Sequence, residues 1–388
     1  MNRLALGPGV CLLSLAAFGD QPRLQAQAPV SYRYAVPTTL DDGVRTGTLA
    51  AAGLDSARII AGTEAILAGT YPGIRSLLVF RRGILAHEQY FAGDGSASAT
   101  DGAGREVLQD LRSVTKTVVI AAVLIAHAQG KIASLDQPVL ALFPEYAASA
   151  ADGTDRITIR HLLSMTAGLE WNEAVSYLDP ANSEGRMLRA PNAIGFVLGR
   201  KLVATPGSTF AYCGGCSHLL AEIVRRTTGT PVDQFAARYL FAPLGIETFR
   251  WDKGSDGMPY GFSGLRLRSR DVGKLGLLLQ QEGAWRGRQL IPASLVSDAL
   301  AEQVVVTPEN AEGDIVGYGY QVWRFSFVED GRREQLVQMS GNGGQSVFIH
   351  DGAGVVVVIT AGNFDRTVSK SSFDFYFDHI LPALVPNH

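Results

Sequence analysis

The chain has 388 residues, of which 46% are hydrophobic and 18% charged, with 43 glycines, three cysteines and a formal net charge of −3. That length exceeds one ordinary core, so two packed regions are expected, and the apolar fraction suffices for a globular interior. With no basic run longer than a residue pair, nucleic acid is not an expected partner, and so few thiols exclude a disulfide framework.

The first residues, MNRLALGPGVCLLSLAAFGDQPRLQAQAPV, place Arg3 ahead of an apolar stretch from Leu4 to Phe18. Small residues follow at Ala17-Phe18-Gly19 and Ala26-Gln27-Ala28. The pattern predicts a signal peptide over residues 1–28 and an exported protein, periplasmic or secreted. The alternative is an unpatterned N-terminus, because Gly7-Pro8-Gly9 interrupts the apolar run. Cys11 lies inside that run, which gives no support to a lipid anchor. No later run reaches the ~18 apolar residues of a membrane span.

Residues 29–53 carry Pro, Thr and Gly with little periodicity and read as an extended leader. LDSARIIAGTEAILAG (54–69) has helical spacing. SLLVF and ILAHEQYF flank Arg81-Arg82-Gly83, which predicts a hairpin over 76–91. Near the other end, SVFIH and VVVVITAGN flank Asp351-Gly352 in the same way, and the uniformly apolar Val355–Ile359 run predicts a central strand. FDFYFDHILPALV (373–385) reads as a closing helix. The two hairpins are expected to share one antiparallel sheet with helices packed on it. A mostly helical region, about 135–260, is expected as an insertion into an α/β part made of 54–134 and 261–385. The fold class is therefore α+β. ITIRHLLSMTAGL (157–169) and HLLAEIVRRTTG (218–229) carry the helical spacing of that insertion, and Gly229 fits a helix stop.

DLRSVTKTVVIAAVLIAHAQGKI (110–132) is the most informative segment. From Val114 to Ala126 it is apolar on nearly every face, which predicts a buried helix ended near Gly130. Ser113 and Lys116 stand at its first turn, three apart and on one face. A lysine at the mouth of a buried helix loses water, which lowers its pKa. A serine beside such an amine can be deprotonated and attack a carbonyl, and its own N–H can help hold an oxyanion. The bland alternative is an N-cap serine followed by a solvated lysine.

YCGGC (212–216) follows the turn Thr205-Pro206-Gly207-Ser208 and precedes a helix. Tyr212 is thus presented on a loop, where a phenol near Lys116 could relay a proton; the alternative is a core tyrosine. The C-x-x-C spacing also admits a redox pair, a zinc half-site or a local disulfide. A zinc site lacks a second ligand pair, with His218 alone nearby, and a redox site lacks a βαβ context, so no metal and no cofactor are expected. SGNGGQ (340–345) precedes a strand. Its glycines would let a substrate backbone approach an edge strand, with the Gln345 N–H as second oxyanion donor; a plain turn is the alternative.

S-V-T-K, a Tyr motif about a hundred residues on, and a Gly-rich strand motif near the C-terminus follow the order of the class C β-lactamase and penicillin-binding-protein-like serine hydrolases, which the chain resembles. HLLSMTAGL (161–169), FAPLGI (241–246), residues 263–296 and YGYQVW (318–323) resemble further segments of that family, so the likeness spans roughly 55–385. It implies one hydrolase domain over 54–385 and an acyl-enzyme mechanism. Ser113 would be the nucleophile, Lys116 its base or proton partner, and Tyr212 a second acid/base. Asn342, Gly343, Gly344 and Gln345 would border the substrate and its oxyanion. Two departures stand out. Gly214 replaces the Asn of the usual Tyr-x-Asn, and Asn342 replaces a Lys or His. Both remove groups that hold a β-lactam, so the resemblance favours a small ester or amide as substrate. A β-lactamase or D-Ala-D-Ala carboxypeptidase is the alternative, and a non-catalytic penicillin-binding-like protein the rival from another class.

Overall fold

The computed structural model describes residues 31–92, 103–307 and 314–384. The expected signal peptide and the last residue of the expected closing helix lie outside them. Nine strands form the main sheet, in the order Arg45–Thr46, Ile84–Tyr90, Ile74–Arg81, Val355–Ala361, Gln345–His350, Arg332–Gly341, Trp323–Glu329, Ile315–Tyr318 and Val304–Thr307. Every pair is antiparallel except Arg45–Thr46, which runs parallel to Ile84–Leu85. The expected leader thus supplies an edge strand.

The two hairpins meet as the sequence predicts, with Val355–Ala361 paired to Ile74–Arg81. Arg82 (φ 52°) and Gly83 (φ 70°) form the two-residue turn of the first, the left-handed geometry that matches strand twist. Val355–Ala361 is buried along its whole length, as expected of a central strand. Gln345–His350 is central too, lying between two longer strands, so the expectation that SGNGGQ leads into an edge strand is wrong. Only the end of that strand reaches the site.

Helices cover both faces. Ser56–Leu67 is capped by the Asp55 carboxylate, which accepts from the N–H groups of Ala57 and Arg58. It packs on one face together with the closing segment. That segment is a short α-turn, Ser372–Phe375, continued by a π-turn and a 3₁₀ turn over Tyr376–Ala383 rather than one regular helix. The other face carries Ser269–Gln280, where Gly273 and Gly276 admit Phe80 and Val356 so closely that a Cβ would collide with either. Beneath it lies the larger core, which takes in Thr115–Ala128, Gly214–Thr228 and the short helices of the 159–198 region. The predicted helix over 157–169 is only five residues, Ile159–Leu163. Met165 (φ 55°) and Gly168 (φ 74°) turn the remainder into a loop.

Candidate active site

The chain approaches Ser113 from the short strand Leu108–Asp110, then turns sharply at Arg112, whose φ of 48° is left-handed. Arg112–Val114 form a 3₁₀ turn that leads into the helix Thr115–Ala128. Ser113 therefore lies one residue before the helix N-cap, Val114, and its hydroxyl caps nothing. The strained residue beside it is the sort of backbone that active sites tolerate. The end of Arg332–Gly341 lies against this turn, since a Cβ on Gly341 would strike the Leu111 carbonyl oxygen.

All residues from Thr115 to Ala126 are buried, and Lys116 is 1% exposed. Its ammonium donates to Ser113 Oγ at 2.9 Å and to the Phe262 carbonyl oxygen at 2.9 Å. The expectation of a lowered lysine pKa is not met. Burial does pull it down, but attraction to Tyr212, Glu184 and Glu173 outweighs burial and holds the ammonium above its usual range. The solvated lysine of the bland alternative is absent.

Tyr212 brings its ring to 5.0 Å from the Lys116 ammonium. It is held from both sides. Ala211 N–H donates to the Met165 carbonyl at 2.9 Å, so the loop of HLLSMTAGL carries it. Trp323 stacks on its ring at 6.4 Å, and Tyr318 and Phe210 brace Trp323. Gln321 ties the frame together: it accepts from the Ser217 hydroxyl at 2.8 Å and donates to the Leu162 carbonyl at 3.1 Å. HLLSMTAGL and YGYQVW are thus supports for Tyr212.

The helix Gly214–Thr228 begins immediately after, four residues earlier than predicted. Cys213 is its N-cap, accepting from Cys216 N–H, and Cys213 is disulfide-bonded to Cys216. Both sulfurs are buried. Among the described residues no group of three or more His, Cys, Asp or Glu side chains is arranged to hold a metal ion. Of the C-x-x-C alternatives, the geometry adopted is the local disulfide.

Opposite Ser113, Gly343 (φ 90°) and Gly344 (φ 91°) shape the turn after Gly341, and a Cβ on Gly343 would collide with Phe364. Gln345 spends its side chain on Ala361, donating to its carbonyl and accepting from its N–H. Asn342 is paired with Asp365. Three residues at the site carried no sequence signal: Glu173, Glu184 and Tyr177. Glu173 accepts from Gly214 N–H at 2.6 Å and from the Trp171 indole. Tyr177 lies within the fields of both glutamates and of Tyr212; the side chain as a whole is exposed, but its hydroxyl end is desolvated, and this with the glutamates pushes its pKa up. Nothing in residues 171–200 has a spacing that would single these residues out.

Ser113, the sealed Lys116 and the braced Tyr212 are gathered where helix turn and sheet end meet. The β-lactamase family model matches residues 64–372, most of the chain, and the chain belongs to that family. Among curated proteins it is similar to esterase EstB of Burkholderia gladioli, 35% identical over 156 residues, 37% of this chain and 39% of that esterase's length. Among solved structures it is similar to a protein described as a 6-aminohexanoate-dimer hydrolase from Bacillus anthracis, with a TM-score of 0.64 at 20% identity over 80% of this chain and 78% of that one. EstCE1, described as a hydrolase with promiscuous acyltransferase activity, gives 0.64 at 20% identity over 85% of this chain and 98% of its own. Those two likenesses bear on the fold.

Proposed function

We propose that this protein is a serine hydrolase that forms an acyl-enzyme at Ser113 from a small ester or amide lacking a carboxylate. The observation that carries the reading is the 2.9 Å contact from the buried Lys116 ammonium to Ser113 Oγ, with Tyr212 stacked behind it. A lysine held as ammonium does not itself accept the serine proton. In this reading the Lys116 ammonium fixes the Ser113 hydroxyl and offsets the charge of Tyr212 reacting as its phenolate, which takes the Ser113 proton and becomes the neutral phenol as Oγ attacks the carbonyl. Tyr212 then returns it to the departing alcohol or amine. Water attacks the Ser113 ester by the same steps in reverse order, releasing the acid and restoring the hydroxyl. The N–H groups of Ser113 and Gln345 are the proposed oxyanion donors, and Gly343 and Gly344 leave the substrate room beside them.

The likeness to an esterase supports the substrate class. Export is proposed with it, and the Cys213–Cys216 disulfide accords with an oxidising compartment. The test is a fluorophosphonate probe followed by peptide mapping, together with release of phenol from short-chain phenyl esters. Modification confined to Ser113 and turnover abolished by Ser113→Ala are the expected results. A label on another serine, or an active Ser113→Ala variant, overturns the mechanism.

A further inference from the structure

The Lys116 ammonium donates to Ser113 Oγ and to the Phe262 carbonyl oxygen, each at 2.9 Å. The second acceptor sits in a loop ahead of the strand Leu265–Arg268, so no sheet ladder fixes it. The backbone on either side is anchored. The Tyr260 carbonyl accepts from the Trp251 indole at 2.9 Å, and the Gly264 carbonyl accepts from Asp252 N–H at 3.0 Å. Between those anchors, Gly261 N–H donates to His218 Nδ1 at 3.4 Å. Gly261 lies tight on the helix Gly214–Thr228: a Cβ there would strike the Ser217 carbonyl oxygen and Ala221. The Phe262 ring stands edge-on to the His218 ring at 5.9 Å.

The donor in this pair fixes the state of the ring. A backbone N–H can only donate, so Nδ1 carries a lone pair and the proton of a neutral imidazole sits on Nε2. A second proton would set N–H against N–H and break the contact. His218 is buried, and burial pulls its pKa below the ordinary 6.5 against the attraction of Asp256 and Glu222. Both carboxylates line one cavity with His218. Glu222 is itself engaged by Arg225 and Arg226. The other walls of the cavity, Ile194, Ala221, Val232, Met258 and Pro259, carry no charge, and the helix Thr115–Ala128 brings Lys116 to the Phe262 carbonyl.

We propose that His218 is a positioning residue of the hydrolytic site: its neutral ring holds the Gly261 N–H, and with it the Phe262 carbonyl, so that Lys116 is aimed at Ser113. The inference rests on the hydrolase reading above and adds to it a proton-sensitive support that touches neither substrate nor the reacting atoms. When the ring gains a proton the loop is released. The buried ammonium then loses one of its two acceptors, and its aim at Ser113 Oγ goes with it.

The test compares two variants. In His218→Asn the side-chain oxygen can stand in for Nδ1 and does not titrate; in His218→Phe the bulk of the ring remains without an acceptor. With a short-chain phenyl ester at pH 8, His218→Phe should lose roughly ten- to a hundredfold in kcat with KM little changed, because a small misplacement of Lys116 suffices for that. His218→Asn should retain most of kcat. In the unmodified protein the plot of log kcat/KM against pH should turn steeper where imidazole 15N shifts show His218 gaining its proton, and that bend should be absent from His218→Asn. If a variant fails to fold, the coincidence of bend and His218 titration in the unmodified protein carries the test. An unchanged kcat in His218→Phe, a bend that survives in His218→Asn, or no bend where His218 titrates overturns the proposal. If no ester is turned over and Ser113 takes no fluorophosphonate, the hydrolase reading has failed instead. Faster hydrogen exchange at Gly261 N–H as His218 gains its proton then still decides whether the ring holds the loop.

Discussion

Asn342 gives both ends of its amide to Asp365: its Nδ2 donates to the carboxylate at 2.7 Å, and its Oδ1 accepts from the backbone N–H at 3.0 Å. The residue that stands where a Lys or His would meet a substrate carboxylate is thereby occupied, and the partner that occupies it is an anion.

A first prediction follows for β-lactams. Short phenyl esters should be hydrolysed faster than nitrocefin. A charged donor is worth about 1 to 2 kcal/mol more than a neutral one, or roughly 5- to 30-fold in rate. Asn342→Lys alone should recover little of this, because the new ammonium would pair with Asp365. Asn342→Lys combined with Asp365→Asn should narrow the gap between nitrocefin and ester. Efficient cephalosporin turnover by the unmodified protein, with negligible esterase activity, would show that another group serves as the anion site.

Lys116 and Tyr212 should act as a unit with Ser113. Lys116→Ala and Tyr212→Phe should each lower kcat by roughly three orders of magnitude or more, and the double variant should be little worse than either single one. Lys116→Arg should not rescue, since a guanidinium does not fit a side chain sealed at 1% exposure. Stopped assays across the four proteins measure this, and additive losses would argue against a shared proton path.

The cysteines should matter to stability and little to chemistry. The Cys213–Cys216 loop is so short that its closure entropy is worth about 2 kcal/mol. A serine at 213 would restore an N-cap oxygen for the helix that follows. Cys213→Ser should therefore lose less stability in urea than Cys216→Ala, with both keeping most esterase activity. Loss of turnover in both, with unchanged stability, would assign the sulfurs a chemical role.

His87 predicts an acid limit. It is wholly buried, bonded through Nε2 to Thr63 Oγ1 at 3.2 Å and stacked on Tyr34, with Nδ1 unpartnered. Burial pulls its pKa down to about 4 from an ordinary 6.5. Above pH 6.5 it is neutral both folded and unfolded, so its contribution is intact. As pH falls from 6.5 towards 4 the unfolded chain binds the proton first, and stability drops by about 3 kcal/mol. Urea titrations at pH 7, 5.5 and 4 should show this loss in the native protein and a smaller one in His87→Gln. Parallel pH profiles would mean that carboxylates elsewhere set the limit.

Helix periodicity and turn residues put Ser113, Lys116 and Tyr212 at element ends but left the bland alternatives open, and it was the order of motifs resembling a known family that singled the three out. Lys116 illustrates the limit of that reading. Its burial follows from the apolar run around it, but the net direction of its pKa depends on Tyr212, Glu184 and Glu173, which reach it through tertiary packing. The hairpin Trp323–Glu329 with Arg332–Gly341 could have been read from Asp330-Gly331, whose left-handed turn (φ 48° and 75°) is a strong hairpin signal. The parallel edge pair of Arg45–Thr46 has no such signature, since two residues carry no periodicity.

Leu54 and Leu384 bridge each other across the sheet's helical face, and Asp55 N–H donates to the Ala383 carbonyl at 2.9 Å. The stretch from 54 to 384 therefore closes on itself. A few residues of linker would join these positions at the loss of residues 31–53 with their edge strand, and the circle could be reopened in the exposed turn at Ser255–Gly257. In that permuted chain the glycine-rich SGNGGQ would come first, S-V-T-K second and Y-C-G-G-C last. The motif order that makes the sequence readable would be gone, while every atom of the site could keep its neighbours. The order belongs to the chain's history; the chemistry belongs to the closed surface.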